Sequence, residues 1–202
     1  MKTVFMFSGQ GAQYAGMGKD LYKNYPVAKE IFDRADNVLG YSIKDICFED
    51  EQKLGETEFA QPAILTMSIA AMKVLEEEGV RADMTAGLSL GEYSAYVASE
   101  AMDFEEAVAL VQKRGKFMEE AVPSGEGAMY AIIGLDTALV EEACAEATAE
   151  GDGLAVPANY NAPGQIVIAG HAQAAKRAAA LAKEKGAKLT VPLKVSGPFH
   201  TE

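Results

Sequence analysis

Only two cysteines occur in the 202 residues, Cys47 and Cys144, and neither belongs to a C-x-x-C or Cys/His spacing. No disulfide framework or zinc site is suggested, and both read as small buried apolar side chains. Histidine is as scarce: His171 and His200 are the only imidazoles, which confines histidine-based proton transfer to two places. Long apolar runs are missing. Val4 to Phe7 is too short for the apolar centre of a signal peptide and nothing later approaches a membrane span, so a cytoplasmic location without membrane attachment is expected. Basic residues are in deficit, 18 against 30 acids, for a net charge of -12. Nucleic acid, whose phosphates need a basic face, is excluded as a partner.

What is present is the composition of a folded globular protein, 49% apolar and 24% charged. The charge is uneven. From His171 onward, Lys176, Arg177, Lys183, Lys185, Lys188 and Lys194 face only Glu184 and Glu202, while residues 1–170 hold 12 basic and 28 acidic groups. Such a basic tail on an acidic body is either a solvated helix face or a partner surface.

"KTVFMF" reads as a buried strand, followed by the glycine-rich loop "SGQGAQYAGMG". The loop is no nucleotide fingerprint, because Tyr14 stands where G-x-G-x-x-G needs glycine and no G-K-[ST] follows. "QPAILTMSIAAMKVLEEEG" predicts a helix with Pro62 in its first turn and Gly79 as its stop. Next come a short "RADMTA", the turn Gly87-Leu88-Ser89-Leu90-Gly91 and the helical "EYSAYVAS". Asp103-x-x-Glu106 reads as a capping box opening a helix to about Val122, before Pro123.

Beyond it the order strand "AMYAII", helix "TALVEEACAEATAE", strand "LAVPANY", turn "NAPG", strand "QIVIAG", helix "AQAAKRAAALAKEKG", strand "KLTVPL" is β-α-β-β-α-β, the ferredoxin-like unit. The expected fold class is therefore α/β. Residues 124–195 form a ferredoxin-like small domain inserted into an α/β-hydrolase-like large domain made of 1–123 and 196–202. The large domain is incomplete as read, since one or two strands cannot make a doubly wound sheet.

Composition alone gives about 0.07 G-x-S-x-G matches in such a chain, so the motif is informative, and strand, tight turn and helix are the context that makes its serine a nucleophile. Ser89 needs a base within hydrogen-bonding reach. His171 reads as a helix-terminal residue of the small domain, whereas His200 lies in "SGPFH", where the chain re-enters the domain holding Ser89. Arg114 points to the middle of an apolar arc formed by Ala107, Leu110, Val111, Phe117, Met118 and Ala121. A guanidinium there must meet a carboxylate, either internal or brought by a ligand, and spacing leaves the two open.

Together "FSGQGAQYAGMG", "AQPAIL", "GLSLGEYSAYVAS", "QKRGKFMEEAVP", "NAPGQIVIAG" and "GPFH", in order from end to end, resemble the malonyl-CoA:acyl carrier protein transacylases of fatty acid and polyketide synthesis. The resemblance implies that Ser89 takes the malonyl group as an ester, that His200 is the base, and that Arg114 holds the malonyl carboxylate. It implies an oxyanion hole from the main-chain amides of Gln10 and Leu90. Gln61, Met118, Asn161 and Gln165 match pocket-lining positions, and Phe199 beside the base resembles the malonyl-type pattern. Partners would be acyl carrier protein and a coenzyme A thioester, with malonyl-CoA as substrate, no bound cofactor and no metal. Leu88 stands where the family usually has histidine, which alters local polarity. Family chains run on past this histidine, so the sequence is expected to be a truncated member lacking further strands. A serine thioesterase or esterase, and a noncatalytic fragment that binds the carrier, are the rival readings.

Overall fold

Two four-residue strands, β1 (Val4–Phe7) and β2 (Met84–Gly87), pair in parallel with Val4 opposite Met84 and Phe7 opposite Gly87. Between them the computed structural model, which describes residues 2–123, 125–193, 195 and 197–201, runs through five helices. These are α1 (Lys19–Asn24), α2 (Pro26–Leu39), α3 (Ile43–Glu49), α4 (Glu51–Leu54) and α5 (Thr57–Glu77). After β2 come α6 (Gly91–Ala98) and α7 (Phe104–Ala121). The chain divides into two compact units, Met1–Phe117 and Met118–Glu202.

The core of the first unit is built on α5, which is apolar on most sides and has Leu65, Ile69 and Ala70 fully buried. Phe32 of α2, Ile43 of α3, Leu90, and Val108 and Val111 of α7 pack into the same cluster. Pro62 does not open α5. The helix begins at Thr57, one turn earlier than its proline suggests, and Pro62 lies inside it. Its missing N–H removes one rung of the backbone ladder, which the buried side chains of the helix outweigh. The stop at Gly79 holds, with φ of 82° and its N–H donated to Glu76 O.

The burial of α7 also differs from its apolar arc. Phe104, Ala107, Val108, Val111 and Gly115 are buried, whereas Leu110 and Phe117 are 42% and 63% exposed. Arg114 consequently stands about 80° from the middle of the buried stripe, on its flank and half-buried, as 100° per residue requires. Gly115 explains the rotation, since a β-carbon there would come 2.5 Å from Thr57 O. Backbone meets backbone at that point, a contact that hydrophobicity does not register.

In the second unit β3 (Gly127–Ile133), α8 (Thr137–Ala149), β4 (Ala155–Ala162), β5 (Gln165–His171), α9 (Ala172–Glu184) and β6 (Leu189–Pro192) follow the expected order. Their four strands form one antiparallel sheet in the order β4-β5-β3-β6. Ile132, Ile166 and Ile168 pack with Val140 and Cys144 of α8 and Ala178 of α9. On the other face Met129, Val167 and Ala169 gather Val195 and Phe199. Both cysteines are buried as expected, and burial pushes each thiol up to about 12.

Candidate active site

β1 and β2 end side by side, and each releases a loop. The turn after β2 is fixed by its glycines. A β-carbon on Gly87 would lie 2.0 Å from the Gly91 carbonyl, and one on Gly91 would lie 2.2 Å from Phe7 O. No side chain fits in either place. Leu88 N–H donates to Phe7 O at 3.1 Å and Gly91 N–H to Leu88 O at 2.9 Å, which folds the chain back within four residues. Ser89 sits at the apex with φ of 52°, the left-handed region that non-glycine residues seldom enter. Such strain is characteristic of a nucleophile presented at a sharp strand-to-helix turn.

The loop after β1 lies against this turn, because Gly9 approaches so closely that a β-carbon on it would be 2.7 Å from Leu88 O. Gln10 follows, and its Nε2 donates to Thr57 Oγ1 at 3.2 Å at the start of α5. Gln13 pins the same loop, accepting from Gly11 N–H at 2.7 Å and donating to Leu54 O at 3.1 Å. Leu90, the cap residue of α6, is fully buried.

α5 and α7 bring two further side chains to Ser89. Arg114 Nη2 donates to Ser89 Oγ at 3.2 Å, and its Nη1 donates to Gln61 Oε1 at 2.9 Å. Gln61 and Thr57 are both fully buried. The Arg114 guanidinium carbon lies 5.6 Å from the centre of the Tyr93 ring. Among the described residues no carboxylate pairs with Arg114, so the choice left open by spacing falls against an internal ion pair. Ser89, Arg114, Gln61, Gln10 and Leu90 thus gather in the first unit. Tyr93 and Thr57 are additions that sequence reasoning missed. Tyr93 had a signal, its place in the first turn of the helix that follows the serine elbow; Thr57 had none.

The remaining candidates belong to the second unit. His200 is exposed, with φ of 63°, in a turn where Phe199 N–H donates to Gly197 O and Thr201 Oγ1 donates to Pro198 O at 2.6 Å. Phe199 is half-buried against Met129, Val167 and Ala169. Asn161 and Gln165 lie exposed at the β4–β5 turn, and Met118 is half-buried on α7. His171 caps α9 as expected, and its Nδ1 accepts the Leu154 N–H at 3.0 Å. Of the basic tail, Arg177 pairs with Glu150 and Glu184, and Lys185 pairs with Glu142 and Glu146. Lys183 donates to the carbonyls of Ala187 and Lys188. Lys194 and Glu202 lie outside the described residues. Among the described residues no group of three His, Cys, Asp or Glu is placed to hold a metal, and no helix is long and apolar enough to cross a membrane.

With a strained serine at a strand-to-helix elbow bonded to a guanidinium, the chain belongs to the acyl transferase domain family, whose model matches residues 4–197. Within that family it is similar to malonyl CoA-acyl carrier protein transacylases. It is 52% identical over 202 residues to that of Bacillus subtilis and 50% identical over 199 residues to that of Escherichia coli K12, covering 100% and 98% of this chain. It spans 63% and 64% of the length of those relatives. Among solved structures, MCAT from Streptococcus pneumoniae superposes with a TM-score of 0.92 at 56% identity, covering 99% of this chain and 65% of that one. A malonyl-transacylase solved in complex with its type II PKS acyl-carrier protein gives 0.93 at 44% identity, covering 98% and 64%. The mixed α/β fold is that of these proteins.

Proposed function

We propose that the chain is the greater part of an acyl carrier protein S-malonyltransferase, which moves malonyl from malonyl-CoA to the phosphopantetheine thiol of acyl carrier protein through an ester on Ser89. The observation that carries this is Arg114, a half-buried cation whose described partners, Gln61, Ser89 and the Tyr93 ring, are all uncharged. A carboxylate is the ligand such a guanidinium favours, and Arg's planar fork binds it through two bonds. The distance sets the acyl group. Two carbon–carbon bonds span about 2.5 Å, so a carboxylate on Arg114 leaves the thioester carbonyl of a three-carbon diacid within reach of Ser89 Oγ.

In this mechanism His200 takes the Ser89 proton as Oγ attacks the thioester carbonyl. The oxyanion accepts the main-chain N–H groups of Gln10 and Leu90. The C–S bond breaks, the leaving thiol receives the proton from His200, and coenzyme A departs. The carrier thiol then repeats the sequence in reverse on the ester. His200 is favoured as the base because the other imidazole is occupied structurally, with Nδ1 of His171 accepting from Leu154. The serine esterase reading, which needs Arg114 paired internally, loses support from its uncharged neighbours. The partner follows from the relatives' names and from the carrier complex of one of them. No resident cofactor enters these steps, and a cytoplasmic setting suits substrates of this kind.

The finer fold reading belongs to the same proposal. The β-α-β-β-α-β order and the sheet order β4-β5-β3-β6 support a ferredoxin-like domain over 124–195, and the parallel β1–β2 pair with its serine elbow supports an α/β-hydrolase-like domain over 1–123 and 196–202. Intact-protein mass spectrometry after mixing with malonyl-CoA tests the function. One malonyl group is expected on Ser89 and none on Ser89→Ala. An unchanged mass, or label retained by the alanine variant, refutes it.

A further inference from the structure

An arginine that must wait for a substrate carboxylate has a problem before the substrate arrives. Held half-buried with no counter-ion, it gains by swinging to water or to the nearest acid. The nearest acid in sequence to the serine elbow is Glu92. Its Oε1 accepts the Tyr96 hydroxyl at 2.6 Å, a bond that also raises the pKa of that phenol. Glu92 is thereby engaged on the exposed side of α6. Tyr93, the next residue, faces the other way and lays its ring by the Arg114 guanidinium, 5.6 Å from centroid to Cζ. Tyr96 meets the Tyr93 ring edge to face, with centroids 6.5 Å apart and planes at 89°, which restrains the tilt of that ring.

We propose that Tyr93 is a positioning residue for carboxylate selectivity: its ring face holds the Arg114 guanidinium beside Ser89 without neutralising it. The inference rests on the reading of Arg114 as the acyl carboxylate site. An aromatic face attracts a cation through its quadrupole, and it carries no net charge. A carboxylate in the same position would hold Arg114 as firmly, yet would occupy the charge that the acyl group has to find. Two N–H groups of Arg114 are used, toward Gln61 and Ser89, and the fork's remaining donors are left for a ligand. The elbow makes the arrangement possible. Ser89 stands at the apex of the turn and Tyr93 in the first turn of α6, so the hydroxyl and the ring that share Arg114 are held four residues apart on one continuous segment.

The test reads the guanidinium directly, without the serine chemistry. Malonate is titrated into the full chain while the Arg114 side-chain nitrogen resonances are followed, in wild type, Tyr93→Phe, Tyr93→Leu and Tyr93→Met. Wild type and Tyr93→Phe should bind malonate with affinities within about twofold of each other, because both present an aromatic face. Tyr93→Leu and the unbranched Tyr93→Met, which fill the space without a quadrupole, should bind about tenfold more weakly. In parallel, loading of Ser89 by malonyl-CoA should lose ground to loading by acetyl-CoA in the leucine and methionine variants only, through KM. Unchanged malonate affinity in either folded aliphatic variant, an equal loss in Tyr93→Phe, or no malonate response at Arg114 in wild type overturns the proposal. Normal malonate binding with no loading of Ser89 sinks the transferase reading and leaves the role of Tyr93 standing.

Discussion

Gly91 and Phe7 are in such close contact that a β-carbon on the glycine would lie 2.2 Å from the Phe7 carbonyl oxygen. The atom in the way is backbone, in a strand paired with β2, and it cannot turn aside. Gly91→Ala is therefore expected to destabilise the fold by about 3 kcal/mol, the upper range for overpacking, and to remove acylation of Ser89 by displacing the elbow. Urea unfolding checks the first and mass spectrometry the second. A loss under about 0.5 kcal/mol would mean that the turn is looser than these contacts imply.

Arg114→Ala should reduce malonyl loading of Ser89 about ten- to a hundredfold relative to acetyl loading, since charge-assisted contacts contribute roughly 1.5–3 kcal/mol. Competition between the two thioesters, read by mass, gives the ratio. Parallel losses for both acyl groups would assign Arg114 to the integrity of the elbow instead.

The two histidines should separate cleanly. His200→Ala is expected to lower Ser89 acylation by at least about a hundredfold, the contribution of a positioned base, with little change in melting temperature. His171→Ala leaves the Leu154 N–H without its acceptor and should cost about 1 kcal/mol of stability while loading proceeds normally. Loss of loading in the His171 variant would reverse the assignment of the base.

Arg34 joins α2 to α7 through Glu105, with Nε to Oε1 at 2.6 Å and Nη2 to Oε2 at 3.0 Å. The bond holds the Glu105 carboxyl below its ordinary 4.5. A lowered folded pKa stabilises the fold above the unfolded value, and the gain disappears as pH falls through the folded one. Arg34→Gln should thus be less stable than wild type near neutrality by no more than about 1 kcal/mol, since both side chains are partly exposed. The difference should close as pH falls below the ordinary carboxylate range and through the lowered Glu105 value. Chemical denaturation at a series of pH values checks it, and a gap that persists in acid would point to lost packing.

Much of the second unit was legible because its strands and helices alternate in hydrophobic period and are punctuated by glycine and proline. Residues 165–170 and 172–184 fall in strand and helix as read. The serine elbow was legible too, for its glycines are required by contacts that any residue with a β-carbon would break. α5 and α7 were harder. Pro62 marks a helix start in isolation, yet here twelve buried residues hold the helix through it. The face of α7 is set by Gly115, the smallest residue in its stripe, while Phe117 is exposed. Size and hydrophobicity pointed the wrong way because a close backbone contact, with Thr57, took precedence. The contacts of Arg114 were not legible in spacing, since Gln61 and Tyr93 reach it from distant parts of the chain.

The lateral pairing of the basic tail bears on how fast a partner is found. Residues 118–202 contain 11 acidic and 6 basic side chains, and Arg177 and Lys185 are each already bonded to two glutamates of their own unit. Those two charges are matched at short range and the unit keeps an acidic excess, so little positive field extends beyond the Debye length of about 8 Å. In the proposed reaction, a negatively charged carrier protein approaching this surface would be neither drawn in nor oriented from afar. Its association should then be no faster than the unsteered rate of about 10⁵–10⁶ M⁻¹s⁻¹ and rise with ionic strength as the net repulsion is screened. For the proposed reaction, discrimination among carriers is thereby deferred to the moment of contact, where the lifetime of each encounter rather than its frequency would decide which of them receives an acyl group.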